Sequence, residues 1–193
     1  MSPFEMIDNS SIAAILTDPR QPDNPIIRCN AAFIELTGYD RGEIIGRNCR
    51  FLAGKDTEPS ATRIIRDSIA RHQPVMTEII NYRKDGTRFR NAVMIVPIFD
   101  AEGKLIYFLG SQVPAGDDAL PVRRRAARKQ IEALTPRQQK ILTEMAAGKL
   151  NKQIAHELGL SERTVKMHRA AVITALDVRS SAEAIRIAVE AGY

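Results

Sequence analysis

The sequence predicts an α+β domain with a five-stranded antiparallel sheet, followed by an all-α domain of four helices. Short strands and helices alternate through residue 72, and three longer apolar strands then follow one another through hairpin turns. From residue 135 onward, apolar residues recur at helical spacing between capping residues. We therefore expect a first domain at 1–114, a linker at 115–134 and a second domain at 135–193.

Turn and capping residues set the elements before residue 73. Asp18-Pro19 is a turn sequence, and so is the run at 22–25. Asn30 can cap a helix through its side-chain oxygen, and Gly38 can end that helix. The predicted elements are strands at 12–17 and 26–29, a helix at 31–37, a helical turn at 41–45 and a helix at 61–72.

The three later strands, at 75–82, 89–97 and 105–113, are apolar on both faces. Ala92 and Met94 point to one side of the middle strand, and Val93 and Ile95 point to the other. An antiparallel sheet with one wet face should instead alternate apolar and polar residues. We therefore expect the outer face to be covered, either by a second copy of the domain or by the C-terminal part of the chain.

The C-terminal part begins after a break at 114–118 and a basic helix at 122–134. Thr135 and Gln138 form a capping box with proline at the first helical position between them. Gly148 ends this helix, Asn151 and Ser161 are caps for the next two, and a fourth begins at 180 or 181. The sequence leaves open whether the linker helix docks on the first domain or joins a dimer.

The net charge of +5 lies entirely in residues 115–193, which carry 14 basic and 9 acidic side chains. This asymmetry fits either a polyanion-binding surface or a solvated basic face. We find no apolar run of membrane-spanning length and no signal peptide, so we expect a cytoplasmic protein with free thiols at Cys29 and Cys49. Its three histidines are scattered, and we expect no metal site.

The run Gly46-Arg47-Asn48-Cys49-Arg50-Phe51-Leu52 resembles the signature of light-oxygen-voltage (LOV) domains, the flavin-binding branch of the PAS family. In that family this cysteine adds covalently to the flavin ring under blue light. The resemblance covers nearly all of residues 10–113 and implies a PAS-type sheet, a flavin cofactor and a photochemical role for Cys49.

The same resemblance implies a binding site. Arg50 and Arg66 match the arginines that contact the flavin phosphate, Asn81 and Asn91 match the pair on the ring's pyrimidine edge, and Gln112 matches the glutamine beside the reactive part of the ring. The further expected contacts are Asn48, Thr17, Leu52 and Phe108, with Ile15, Ile64, Val93 and Ile95 as apolar walls. Ala53 departs from the glutamine of many members, so FMN is expected while FAD stays open.

Residues 135–193 resemble the LuxR-type four-helix helix-turn-helix module. The matching runs are 134–138, 151–155 and 160–168, which ends in Ser-Glu-Arg-Thr-Val-Lys-Met-His. By this resemblance Lys166, Met167 and Ala170 approach base edges of double-stranded DNA, whereas the expected phosphate contacts are Arg163, Thr164, Arg169 and Lys152. The fourth helix carries the dimer contact of the family, for which we expect Ile185, Ala188 and Val189.

Together these features predict a blue-light-regulated transcription factor that is not an enzyme. In the dark, the outer face of the sheet would cover the dimer surface; adduct formation and a rearrangement of Gln112 would release it, and a homodimer would bind DNA. Two alternatives stay open: a regulator that senses redox state or a small ligand, and a flavoenzyme in which Cys49 takes part in turnover.

Overall fold

The computed structural model describes residues 4–115 and 120–193, and side chains at 120 and 121 are left aside. Its helices and strands are α1 (Glu5–Asp8), β1 (Ala13–Thr17), β2 (Ile26–Cys29), α2 (Ala31–Thr37), α3 (Arg41–Ile44), a 3₁₀ turn (Cys49–Leu52), α4 (Pro59–Ala70), β3 (Val75–Tyr82), β4 (Arg88–Phe99), β5 (Leu105–Pro114), α5 (Leu120–Glu132), α6 (Pro136–Ala146), α7 (Asn151–Leu158), α8 (Glu162–Ala175) and α9 (Ser181–Ala191). The predicted break at 114–118 falls partly outside the described residues.

The five strands form one antiparallel sheet in the order β2-β1-β5-β4-β3, which confirms the predicted α+β architecture. The register pairs Gln112 of β5 with Val93 of β4, and Asn81 of β3 lies opposite Phe89. Because side chains alternate along a strand, Gln112 lies on the inner face and its neighbour Ser111 on the outer face.

The outer face of the sheet packs against the C-terminal helices. Leu16, Met94, Val96 and Leu109 are each 0% exposed, and they belong to one apolar cluster with residues of α5, α6 and α9. This packing confirms that the outer face is covered, and of the two predicted covers the structure has the chain's own C-terminal part.

The linker helix α5 packs mainly on α9, with Ala127 and Ile131 buried between them. Arg128 donates a hydrogen bond to the carbonyl oxygen of Ala191, 2.9 Å away at the end of α9. Arg123 pairs with Glu78 on β3. The linker helix therefore contacts both the sheet and the last helix.

Three of the four C-terminal helices begin where the capping residues predict. The exception is α7, for which Asn151 was the expected cap: Asn151 is its first helical residue, Leu150 is the N-cap, and the Asn151 side chain accepts from Arg169 instead. Thr135 and Gln138 form a reciprocal capping box at the start of α6, and the side chains of Ser161 and Ser180 each accept a backbone N–H at the third helical position of α8 and α9. Gly159 ends α7 with φ +62°, a left-handed conformation that glycine adopts without strain. These local signals position α8 across α7.

Candidate functional site

A cavity of about 490 Å³ lies between the inner face of the sheet and the helices that cover it. Its apolar walls are Ile15, Ile65, Ile69, Ile79, Val93, Ile95 and Phe108. Gly110 also lies on the wall, where a Cβ atom would come within 2.8 Å of the Ile15 side chain. The result is an apolar space bounded by strand residues on one side and α4 on the other.

A chain of polar side chains crosses the inner face of the sheet. The Gln112 Nε2 atom donates to the Cys49 Sγ atom at 3.1 Å, and the Gln112 Oε1 atom accepts from Asn91 Nδ2 at 2.9 Å. The same Asn91 nitrogen donates to Asn81 Oδ1 at 2.9 Å. One hydrogen-bonded row thus connects the cysteine to two amides on adjacent strands.

Cys49 opens the 3₁₀ turn, whose N-cap is Asn48: the Asn48 side-chain oxygen accepts the backbone N–H of Arg50 at 3.0 Å. This turn presents the sulfur to the cavity. Burial raises the pKa of the Cys49 thiol to about 11, and the Gln112 hydrogen bond only partly opposes that shift. The thiol is therefore protonated at neutral pH.

Two arginines, Arg50 and Arg66, line the cavity. Arg50 is also paired with Asp23, whose carboxylate oxygens lie 2.6 and 2.7 Å from Arg50 Nη1. The Asn48 Nδ2 atom donates to the carbonyl oxygen of Asp23 at 2.6 Å. The loop at 18–25 is therefore fastened to the residues on both sides of Cys49.

These residues fit a flavin. Three buried side-chain oxygens, of Thr17, Asn24 and Asn91, have no hydrogen-bond partner within the described residues, and Thr17 and Asn24 line the cavity. A buried polar atom without a partner is costly, so these oxygens suit a ligand that brings its own donors. An apolar slot with amides and cations on its lining matches a ring with a polar edge and a phosphate tail.

Most predicted cofactor residues converge on this cavity. Thr17, Asn48, Cys49, Arg50, Arg66, Asn81, Phe108 and Gln112 line it, as does Ala53. Asn91 lies behind them, fully buried, and reaches the cavity through Asn81 and Gln112. Their roles toward a flavin remain predictions.

Two expected wall residues lie elsewhere. Leu52 is fully buried in a separate cluster with Ile26, Phe33 and Ile44, because the 3₁₀ turn directs it away from the cavity. Ile64 is 49% exposed, since the phase of α4 turns Ile65 and Ile69 inward instead. Asp23 and Asn24 also line the cavity, whereas the sequence pattern at 22–25 indicates only a turn.

The predicted DNA-contacting surface lies on α7 and α8 and is mostly open. Lys152, Arg163, Lys166, Met167 and Ala170 are exposed and Thr164 is half-buried. Arg169 corrects the prediction: it is 2% exposed and donates to Asn151 and Ser181 at 3.0 and 3.2 Å. It lies on the inward stripe of α8 with Val165 and Val172, so its guanidinium joins helices rather than meeting a phosphate.

The predicted dimer residues are covered. Ile185 and Ala188 are each 0% exposed and Val189 is half-buried, all within the cluster that includes the outer face of the sheet. Arg186 on the same helix donates from Nη1 to the carbonyl oxygen of Ala92 at 3.1 Å and to Ser111 Oγ at 3.2 Å. In this structure α9 is therefore engaged with the sheet.

Comparisons with known proteins agree with both parts of this architecture. The PAS domain family model matches residues 12–113, more than half of the chain, and the model of bacterial regulatory proteins of the luxR family matches residues 132–188. A LOV domain from the blue-light activated histidine kinase of Erythrobacter litoralis is 39% identical, with a TM-score of 0.53, over 55% of this chain and 98% of that one. The light-state LOV structure of the photoreceptor Aureochrome1 is 36% identical, with a TM-score of 0.54, over 59% of this chain and 87% of that one.

Fold, cavity and matches together define a PAS-type sensory domain joined to a helix-turn-helix domain. The chain belongs to the PAS domain family, in its LOV branch, and carries a LuxR-type C-terminal domain. This confirms the resemblances predicted from residues 46–52 and 135–193, and it implies a flavin chromophore.

Two curated relatives bear on activity. "Blue-light-activated histidine kinase 1" of Erythrobacter litoralis is 43% identical over 130 residues, 67% of this chain and 36% of that protein. "Blue-light-activated histidine kinase" of Rhizobium johnstonii is 41% identical over 138 residues, 72% of this chain and 37% of that protein. The expectation that the chain is not an enzyme is wrong by this comparison, because both relatives are named as kinases. The chain spans little more than a third of their length, so kinase activity is stated of those proteins alone.

Within residues 4–115 and 120–193, no helix is both long and apolar enough to cross a membrane. Within the same residues, no group of three or more His, Cys, Asp or Glu side chains could hold a metal ion.

Proposed function

We propose that the chain is a blue-light-regulated transcription factor that binds FMN, with FAD as the alternative. Light weakens the contact between the sheet and α9, and the freed C-terminal domain dimerises and binds double-stranded DNA. The proposed functional units are residues 1–114, 115–134 and 135–193. A regulator that binds a bacterial chromosome works in the cytoplasm, and that location is part of the proposal.

One observation carries the proposal: β5 takes part in both sites. Gln112 contacts Cys49 on its inner side, and the preceding residue, Ser111, accepts a hydrogen bond from Arg186 of α9 on its outer side. A change in the hydrogen bonding of Gln112 therefore acts on the strand that holds the last helix. A signal can shift this equilibrium only if the two states differ in their interactions, and β5 supplies that difference.

A bound flavin would supply the light absorption and the electrophilic ring carbon to which the Cys49 sulfur bonds. Cys49 would hold the reacting sulfur and its proton beside such a ring. Gln112, which donates to that sulfur, would lose this partner once the sulfur is bonded and could turn its amide, because an amide can both donate and accept. That turn also breaks the bond from Asn91 to the Gln112 oxygen, so the rearrangement reaches β4.

The DNA contacts follow from the exposed face of α8. Lys166, Met167 and Ala170 point outward from a helix that can enter the major groove, and Arg163, Thr164 and Lys152 flank them at positions suited to phosphates. The closed structure leaves this face open and covers α9. In this proposal light regulates DNA binding through dimerisation, because two linked helix-turn-helix domains on adjacent half-sites bind DNA far more tightly than one domain does.

The test compares the full chain with Cys49→Ala and Cys29→Ala in darkness and under blue light. Absorbance follows the flavin band, light scattering follows the mass, and fluorescence anisotropy follows binding to a DNA library. We expect reversible bleaching, a mass increase and tighter DNA binding in the wild type and in Cys29→Ala. Cys49→Ala should keep the flavin and lose all three responses. Equal DNA binding in dark and light by the wild type would overturn the proposal.

A further inference from the structure

Arg50, one of the two arginines that line the cavity, already forms an ion pair within the protein. Arg50 Nη1 lies 2.6 and 2.7 Å from the two carboxylate oxygens of Asp23, and both residues line the cavity. Arg66, the second arginine that lines the cavity, makes no ion pair with any described residue. Asp23 thus brings one negative charge to a place where two positive charges would otherwise face the ligand.

Asp23 is held there by the backbone. Its φ is +68° and that of Asn24 is +48°, so two consecutive residues without a glycine adopt the left-handed conformation. Asn48 fastens this turn through bonds to the carbonyl oxygens of Asp23 and Asn24, at 2.6 and 3.4 Å. The loop backbone therefore positions the carboxylate beside Arg50, although both side chains are more than half exposed.

The net charge around Arg50 affects whether the site favours a phosphorylated or an unphosphorylated flavin. A phosphate monoester carries about −1.5 to −2 at neutral pH, whereas riboflavin has no phosphate and is neutral. A carboxylate beside Arg50 repels a phosphate and competes with it for the guanidinium, while it leaves a neutral ribityl chain almost unaffected. At about 4 Å in water, one charge pair is worth roughly 1 kcal/mol, enough to change a preference several-fold.

Resting on the proposed flavin function, we infer that Asp23 is a specificity-determining residue of the cofactor site. It serves as an internal anion that occupies Arg50 and lowers the preference for phosphorylated over unphosphorylated flavin. The site accordingly tolerates riboflavin better than its two arginines alone would allow.

The test uses Asp23→Asn in the full chain. Asparagine adopts the left-handed conformation as readily as aspartate, so this variant removes the charge and keeps the turn. The matched control is Glu102→Gln, which removes one exposed carboxylate from the β4–β5 turn. Protein stripped of flavin is titrated with FMN and with riboflavin at low and high salt, and flavin quenching gives both dissociation constants.

In Asp23→Asn the ratio of FMN to riboflavin affinity should rise about three- to tenfold at low salt, and less at high salt, because exposed charges are screened. Glu102→Gln should leave the ratio unchanged. An unchanged ratio in Asp23→Asn, or an equal rise in both variants, would overturn the inference while the flavin function stands. Wild-type protein that binds neither flavin would instead remove the proposed function, and this inference with it.

Discussion

Arg186 of α9 donates a hydrogen bond from Nη1 to the carbonyl oxygen of Ser111, 3.4 Å away, and Ser111 is the neighbour of Gln112 in β5. The same nitrogen reaches the Ala92 carbonyl oxygen at 3.1 Å. Burial lowers the pKa of Arg186 to about 10, so the guanidinium is still charged at neutral pH. A buried charge is stable only while its hydrogen bonds hold, which makes this contact sensitive to shifts of β5.

Arg186→Gln should open the closed state in the dark. The shorter, neutral amide loses charge-assisted bonds to the sheet, at a cost of about 2 kcal/mol, which corresponds to roughly a 30-fold shift toward the released form. Dark-state DNA binding and dimer mass, measured at matched concentration, should rise toward the lit values. Lys104→Gln removes an exposed cation from the β4–β5 turn and serves as control. Unaltered dark binding by Arg186→Gln would show that Arg186 does not hold the domains together.

Gly148→Ala should open the same interface by steric conflict. Gly148 has φ +81°, and a Cβ atom there would lie 1.9 Å from the carbonyl oxygen of Pro97 on β4. Overpacking of this kind costs about 1–3 kcal/mol, and it acts only when the sheet and α6 are in contact. We expect Gly148→Ala to dimerise and bind DNA in darkness, as measured by light scattering and anisotropy.

Gly159→Ala is the matched control for backbone strain. Gly159 also has positive φ, at +62°, but nothing lies within 4 Å of the added Cβ atom. Both variants therefore carry a left-handed alanine at the end of a helix, and only one meets the sheet. Equal dark activation in both would mean that general destabilisation, and not the Pro97 contact, releases the domain.

Local sequence patterns predicted the helices, the strands and much of the site. They predicted less well which way individual side chains point within a helix. Strand alternation put Met94 on one face of β4 and Val93 and Ile95 on the other, and the structure agrees: Met94 packs in the outer cluster, whereas Val93 and Ile95 line the cavity. The helix-turn-helix resemblance predicts Arg169 on the DNA-contacting surface, although its spacing from Val165 and Val172 already marks the buried stripe of α8. The Asp23–Arg50 pair joins residues that are far apart in sequence, so no local pattern could have indicated it.

The raised pKa of Cys49 predicts a specific loss of stability at alkaline pH. The thiol titrates near 9.0 in the unfolded chain and at about 11 in the fold, so the unfolded state releases its proton first as pH rises. The stabilising contribution is complete below pH 9 and is lost toward pH 11, by about 1–2 kcal/mol at pH 10.5. Denaturant unfolding at pH 8 and 10.5 should show this loss in the wild type relative to Cys49→Ala. A constant difference between the two proteins would mean that the thiol is not shifted.

Arg163 and Arg169 should separate a phosphate contact from a structural role. Arg163 is exposed at the start of α8, so Arg163→Gln should weaken binding of the lit protein to all DNA sequences alike and reduce the slope of log affinity against log salt by about 1.

Arg169 is buried against Asn151 and Ser181, and Arg169→Gln should instead lower the unfolding midpoint of the C-terminal helices by removing bonds that join α8 to α7 and α9. Salt titrations by anisotropy and thermal melts by circular dichroism measure the two effects. A reduced salt slope in Arg169→Gln with an unchanged melt would return that residue to the DNA-contacting surface, because only a solvent-facing guanidinium can release counterions from DNA.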